Sequence, residues 1–143
     1  MNRELKGALS LTITVTFLVS GCAETKTNQC REIISIANGT VKEAKQLTND
    51  KKSTDLEATL LAADTMELAA EEMVSLDITD QQLQAYRKEF VMMYRETATA
   101  TRSFVKAYEN KDKTNLKQAQ KAIKEATAPE QELVTKINQY CLE

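Results

Sequence analysis

The reactive side chains of this 143-residue sequence are three cysteines, Cys22, Cys30 and Cys141, and there is no histidine. Without histidine the commonest general base and metal ligand is missing, and so is an axial histidine for haem. A di-iron bundle centre needs Glu-x-x-His on its helices, and this sequence has no such pair. Asp64, Glu67 and Glu71 recur at i, i+3 and i+7 on one helical side and read as a solvated flank rather than a hard-cation site. Met66, Met73, Met92 and Met93 offer sulfur of the kind a copper site uses, but they read better as adaptable core filler. Serine and threonine are plentiful, with no base to activate them. The expectation is a protein that is not an enzyme and carries no cofactor and no metal. Cysteine chemistry then reduces to a disulfide or a modification.

Cys22 closes a distinctive leader. A charged head (Arg3, Glu4, Lys6) precedes an apolar run from Ala8 to Val19, followed by the small pair Ser20-Gly21 and then Cys22. A run of twelve residues is too short to span ~30 Å of hydrocarbon, which takes about 20; this is the signal-peptide pattern. Leu18-Val19-Ser20-Gly21-Cys22 resembles a bacterial lipobox, with Val19 where leucine is commoner. The resemblance implies cleavage after residue 21, lipidation of Cys22, and a chain anchored to a membrane while facing the periplasm, a lumen or the cell exterior. Residues 1–21 are then signal peptide, 22–27 a lipidated tether and 28–143 the folded domain.

That cleavage leaves 122 residues, one domain by size. The leader holds Arg3, Lys6 and Glu4, so the chain's 19 basic and 21 acidic residues become 17 and 20. A net side-chain charge of −3 gives no reason to expect nucleic acid. Glycine and proline are scarce, and Ala, Leu, Glu, Lys, Gln and Met recur; these are helix formers.

Four helices are predicted. The first starts near Asn28 as cap and buries Cys30, Ile33, Ile34, Ala37, Val41 and Ala44; residues 49–53 break it. Thr54-Asp55-Leu56-Glu57 reads as a capping box. It opens a helix to about Leu76 with Leu56, Leu60, Ala63, Met66, Ala70, Met73 and Val74 on its apolar face. Thr79-Asp80-Gln81-Gln82 reads as a second box, ahead of a long helix to about Asn110. Its heptad seam is Leu83, Phe90, Thr97, Phe104 and Tyr86, Met93, Ala100, Ala107. The last helix carries Leu116, Ala119, Ile123 and Ala126, then Leu133, Ile137, Tyr140 and Cys141. Pro129 costs about 3 kcal/mol inside a regular helix, so it marks a kink or a restart. The fold class is all-α: an antiparallel up-and-down four-helix bundle with a kinked last helix.

An even number of alternating helices returns the chain end to its beginning, which brings Cys30 and Cys141 to one end, both on apolar stripes. In a compartment that permits disulfides they are expected to pair. Charge is uneven as well. Residues 54–77 hold seven acidic and no basic residues, whereas residues 87–124 hold ten basic and four acidic. Lys88, Arg95, Arg102 and Lys106 follow one face of the third helix, and Lys113, Lys117, Lys121 and Lys124 one face of the fourth. The first set is a candidate strip for an acidic partner or anionic headgroups; the plainer reading is a solvated face balanced by the second helix.

Ile78-Thr79-Asp80-Gln81-Gln82 is similar to the Leu-Thr-x-x-Gln motif of small periplasmic helical chaperones, with Ile78 for leucine. A second copy, Thr127-Ala128-Pro129-Glu130-Gln131, has an extra residue. Cys30-Arg31-Glu32-Ile33-Ile34 together with Tyr140-Cys141 resembles small lipid-anchored helical bundles of cyanobacteria. The second likeness supports the fold and supplies no activity; the expected role is a non-enzymatic one in binding or assembling envelope or thylakoid proteins. The alternative is a chaperone-like or small-ligand-binding bundle. A concave apolar face distinguishes the second role, a closed core with a polar surface the first.

Overall fold

Capping and turn chemistry set where the helices begin and end. The computed structural model describes residues 25–49 and 55–142; residues 1–21 and Cys22 lie outside them. Helix α1 spans Lys26–Asn49, starting two residues before the expected cap. The Thr25 carbonyl accepts from the amides of Asn28 (2.9 Å) and Gln29 (3.2 Å), so Asn28 lies inside the first turn and does not cap it. The expected tether therefore loses Lys26 and Thr27 to the helix.

Helix α2 spans Leu56–Ser75 and its cap is Asp55, whose carboxylate accepts from the Ala58 amide at 3.0 Å. Helix α3 spans Gln81–Glu109 and is capped by Asp80, which accepts from the Leu83 amide at 2.9 Å. Both caps thus sit one residue after the threonine that opens each expected box. Aspartate caps as well as threonine or better, and Thr79 is held elsewhere. The α2–α3 turn is stitched by α3: Arg87 donates to the Leu76 carbonyl (2.6 Å) and Gln84 to that of Ile78 (2.8 Å).

At the end of α3, Lys111 takes a left-handed φ of 55°. Its amide bonds the Tyr108 carbonyl and the Asp112 amide bonds Ala107, satisfying two end carbonyls. Asp112 then caps α4, Lys113–Thr127. Helix α5, Glu130–Leu142, restarts after Ala128-Pro129, with the Pro129 carbonyl accepting from the Leu133 amide at 2.9 Å. Together α4 and α5 are one helix bent by 15°.

The architecture is an all-α four-helix bundle, and among the described residues there is no strand. Helix α3 lies between α2 and α4 along its length, α1 leans on α2, and α5 reaches both α3 and α1. The seam expected on α3 is buried except at Phe104, which is half-buried.

The two halves of the bundle are packed differently. Around Cys30 and Cys141 the core is continuous: Ile33, Ala70, Met73, Ile78, Leu83, Phe90, Leu133 and Ile137 form one cluster. Toward the far end burial falls mainly to alanines, among them Ala58, Ala62, Ala98, Ala107, Ala119 and Ala126. Val41, Leu56, Met66, Phe104, Leu116 and Ile123 are only half-buried there. On α2 this overturns part of the expected face. Leu60 is 37 % and Val74 53 % exposed, because the helix turns its alanines toward its neighbours and holds the larger chains outside. Alanine interfaces let helix backbones approach closely, which leaves no room for leucine between them. Met66, Met73 and Met93 pack as expected, whereas Met92 is 50 % exposed.

Candidate functional site

Two arrangements stand out, a clasp at one end of the bundle and a cleft at the other. The clasp begins with the disulfide: Cys30 and Cys141 are bonded with Cα atoms 5.9 Å apart, within the usual 4.4–6.8 Å. One residue before Cys30, Gln29 is 1 % exposed. Its Oε1 accepts from the amides of Thr79 (2.9 Å) and Asp80 (3.1 Å), and its Nε2 donates to Thr79 Oγ1 (2.9 Å). One side chain of α1 therefore holds the α2–α3 turn. One residue before Cys141, the Tyr140 hydroxyl donates to the Asp80 carboxylate at 2.9 Å. The Lys26 ammonium lies 3.9 Å from the Tyr140 ring centroid, and Tyr86 meets that ring edge-on at 5.9 Å. The Leu83 amide at α3's start, helped by Tyr140, holds the Asp80 carboxyl below its ordinary pKa. The clasp joins α1, the α2–α3 turn and α5. Gln29 carried no signal in the sequence, since a lone glutamine in a helix looks like any solvated residue; only the turn brought against it gives it a role.

The cleft lies where the far halves of α1 and α4 fail to meet. It has a volume of about 470 Å³ and is lined by Val41, Ala44 and Lys45 of α1, Thr59, Ala62 and Met66 of α2, Thr97, Thr101 and Phe104 of α3, Gln120, Ile123 and Thr127 of α4, and Glu130 of α5. A separate cavity of about 40 Å³ adjoins its inner end, sharing Thr97, Thr127 and Glu130 with it and adding Thr40, Met93 and Tyr94. Tyr94 is buried, and the Thr40 hydroxyl donates to the Ile36 carbonyl at 2.7 Å. Desolvation pushes the Tyr94 pKa up to about 12, Thr40 opposing and Glu130 adding to the shift. Pockets of 300–1,000 Å³ with mostly apolar walls and a few polar groups are the usual form of a small-molecule site. A larger open valley of about 1020 Å³ runs outside α3 and α4. Its floor includes Ala100, Ala107, Ala119 and Ala126, already buried in the helix contact, and its rim mixes Arg95 and Lys106 with Glu96, Asp112 and Glu125. It selects no particular ligand.

The expected basic strip is divided by the structure. Arg102 pairs with Asp64 (2.9 Å) and Glu67 (3.3 Å), and Arg95 lies 3.7 Å from Glu67. Asp64, then Glu67, hold the Arg102 pKa above its ordinary value. Lys88 and Lys106 remain exposed. The strip is thus half occupied in joining α3 to the acidic α2, which is the balanced-face reading. The same pairs occupy two of the three carboxylates weighed as a cation site. Among the described residues no group of three or more acidic or cysteine side chains is placed to hold a metal ion. The described helices include none long and apolar enough to cross a membrane.

No protein-family model matches the chain, and comparison with curated proteins and with solved structures finds no match either.

Proposed function

We propose that this protein is a lipid-anchored, extracytoplasmic binding protein without enzymatic activity, and that its cleft is where it binds. Of the two roles expected from the sequence, protein assembly and a chaperone-like or small-ligand-binding role, the second is favoured by one observation. The far end of the bundle is concave and apolar rather than closed. Half-buried Val41, Met66, Phe104 and Ile123 face that space, and covering such surface is worth roughly 25 cal/mol per Å².

Lipidation at Cys22 suits this arrangement. Cys22 is four residues from Lys26, a reach of at most ~14 Å, so the anchor holds the clasped end at the bilayer and the cleft faces away. The partner expected on the sequence reading, an envelope or thylakoid protein, would then supply or receive what the cleft carries.

Titration with the neutral fluorophore N-phenyl-1-naphthylamine tests the binding reading. Saturable binding of one probe per chain is expected, with Ala44→Phe abolishing it while helicity is retained. Absent or non-saturable binding refutes it. The anchor has its own test: Cys22→Ser should leave an uncut precursor or release the protein, and normal processing with membrane retention refutes lipidation.

A further inference from the structure

Resting on the binding reading above, the geometry points to a ligand class: we propose that the cleft takes a single-chain fatty-acid carboxylate, tail inward and headgroup at the Lys45 end. The shape argument comes first. The lining runs from Thr97 to Phe104 on α3 and from Gln120 to Thr127 on α4, about 10 Å of helix in each at 1.5 Å per residue. A cleft of this length holding about 470 Å³ is narrow and runs along the bundle axis. A partner helix with its side chains is ~10–12 Å across and does not enter it; an extended alkyl chain does.

Charge decides the headgroup. Lys45 lines the end of the cleft remote from the disulfide. On α4, Lys117 is exposed and lies three before Gln120, which lines the cleft, so helical spacing puts it beside the outer rim. Among the described lining residues Glu130 is the single carboxylate, and it sits at the inner end with Thr127. A carboxylate head is therefore attracted to the outer end and repelled from the inner one, which fixes the direction of the ligand. A neutral alcohol gains only the tail contacts, and a cationic amphiphile meets the wrong rim.

The full chain carrying Cys22→Ser, preloaded with N-phenyl-1-naphthylamine, is titrated with laurate, dodecanol and dodecyltrimethylammonium at low salt. Laurate is expected to displace the probe at a concentration at least tenfold below that of dodecanol. Lengthening the carboxylate from eight to twelve carbons should tighten it about fourfold per methylene until the cleft is full. Lys45→Glu should erase the preference for laurate, and Lys117→Glu should reduce it; circular dichroism checks that each variant keeps its helicity. Equal displacement by laurate and dodecanol, or stronger displacement by the cation, overturns the fatty-acid assignment and leaves the binding reading standing. Probe binding that is absent, or unchanged by Ala44→Phe, overturns both.

Discussion

Replacing Gln29 by alanine should cost far more than its sequence context suggests. The side chain makes three hydrogen bonds of 2.9–3.1 Å to the α2–α3 turn and is 1 % exposed. At about 1 kcal/mol net for each bond, and with alanine's better helix propensity returning a few tenths, the expected loss is about 2–3 kcal/mol. The entropy of unfolding, ~2.1 cal/mol/K per residue over the bundle, converts 1 kcal/mol to about 4 °C. The melting temperature should therefore fall by about 8–12 °C. Urea and thermal unfolding followed by circular dichroism measure this, with Gln131→Ala, on the exposed side of α5, as a control within about 0.5 kcal/mol of the parent. Because Gln29 belongs to the clasp, probe binding at the cleft should survive the substitution below its new melting temperature. A loss under about 0.5 kcal/mol, equal to the control, refutes the claim that this side chain holds the turn.

Four further outcomes follow from the same structure. Cys30→Ala/Cys141→Ala opens a loop with a sequence separation of 111, worth up to about 4.8 kcal/mol in the chain-entropy model; calorimetry should show a melting temperature lower by up to about 20 °C with helicity retained. Tyr94, at about 12 folded against about 10 unfolded, keeps a proton that the unfolded chain loses. Its effect on stability is nil below pH 10 and destabilising as pH rises from 10 to 12, by about 1.4 kcal/mol at pH 11; urea midpoints at pH 8 and 11 should show that Tyr94→Phe removes this share of the fall. A Cβ at Gly39 meets nothing within 4 Å and the residue is helical, so Gly39→Ala should raise stability by about 0.4–1 kcal/mol. Lys111 holds a left-handed φ that glycine adopts without strain, and Lys111→Gly should stabilise the α3–α4 turn by about 1 kcal/mol in the same assay.

Local chemistry accounts for what was legible without coordinates. Helix formers, few turn residues and a seam of period 3.5 on α3 specify a bundle, since each stripe must be buried against another helix. Alternation of four helices then returns the chain end to its start, so Cys30 and Cys141 could be paired from order and phase alone. Pro129 marked the restart of the last helix because its missing amide and fixed φ act locally. The caps shifted by one residue because threonine and aspartate compete for the same role, and the contest at Thr79 was decided by Gln29, fifty residues away.

Only the tertiary structure decided how far each stripe is buried. Val41, Met66, Phe104 and Ile123 obey the same periodicity as Ile33, Met73, Phe90 and Ile137, yet the first four line an open cleft and the second four a closed core. Periodicity says which side of a helix faces its neighbours, not how near those neighbours come. That distance depends on alanine contacts drawing α2 and α4 onto α3, and on a clasp that binds α1 to α5 at one end and leaves α1 and α4 apart at the other.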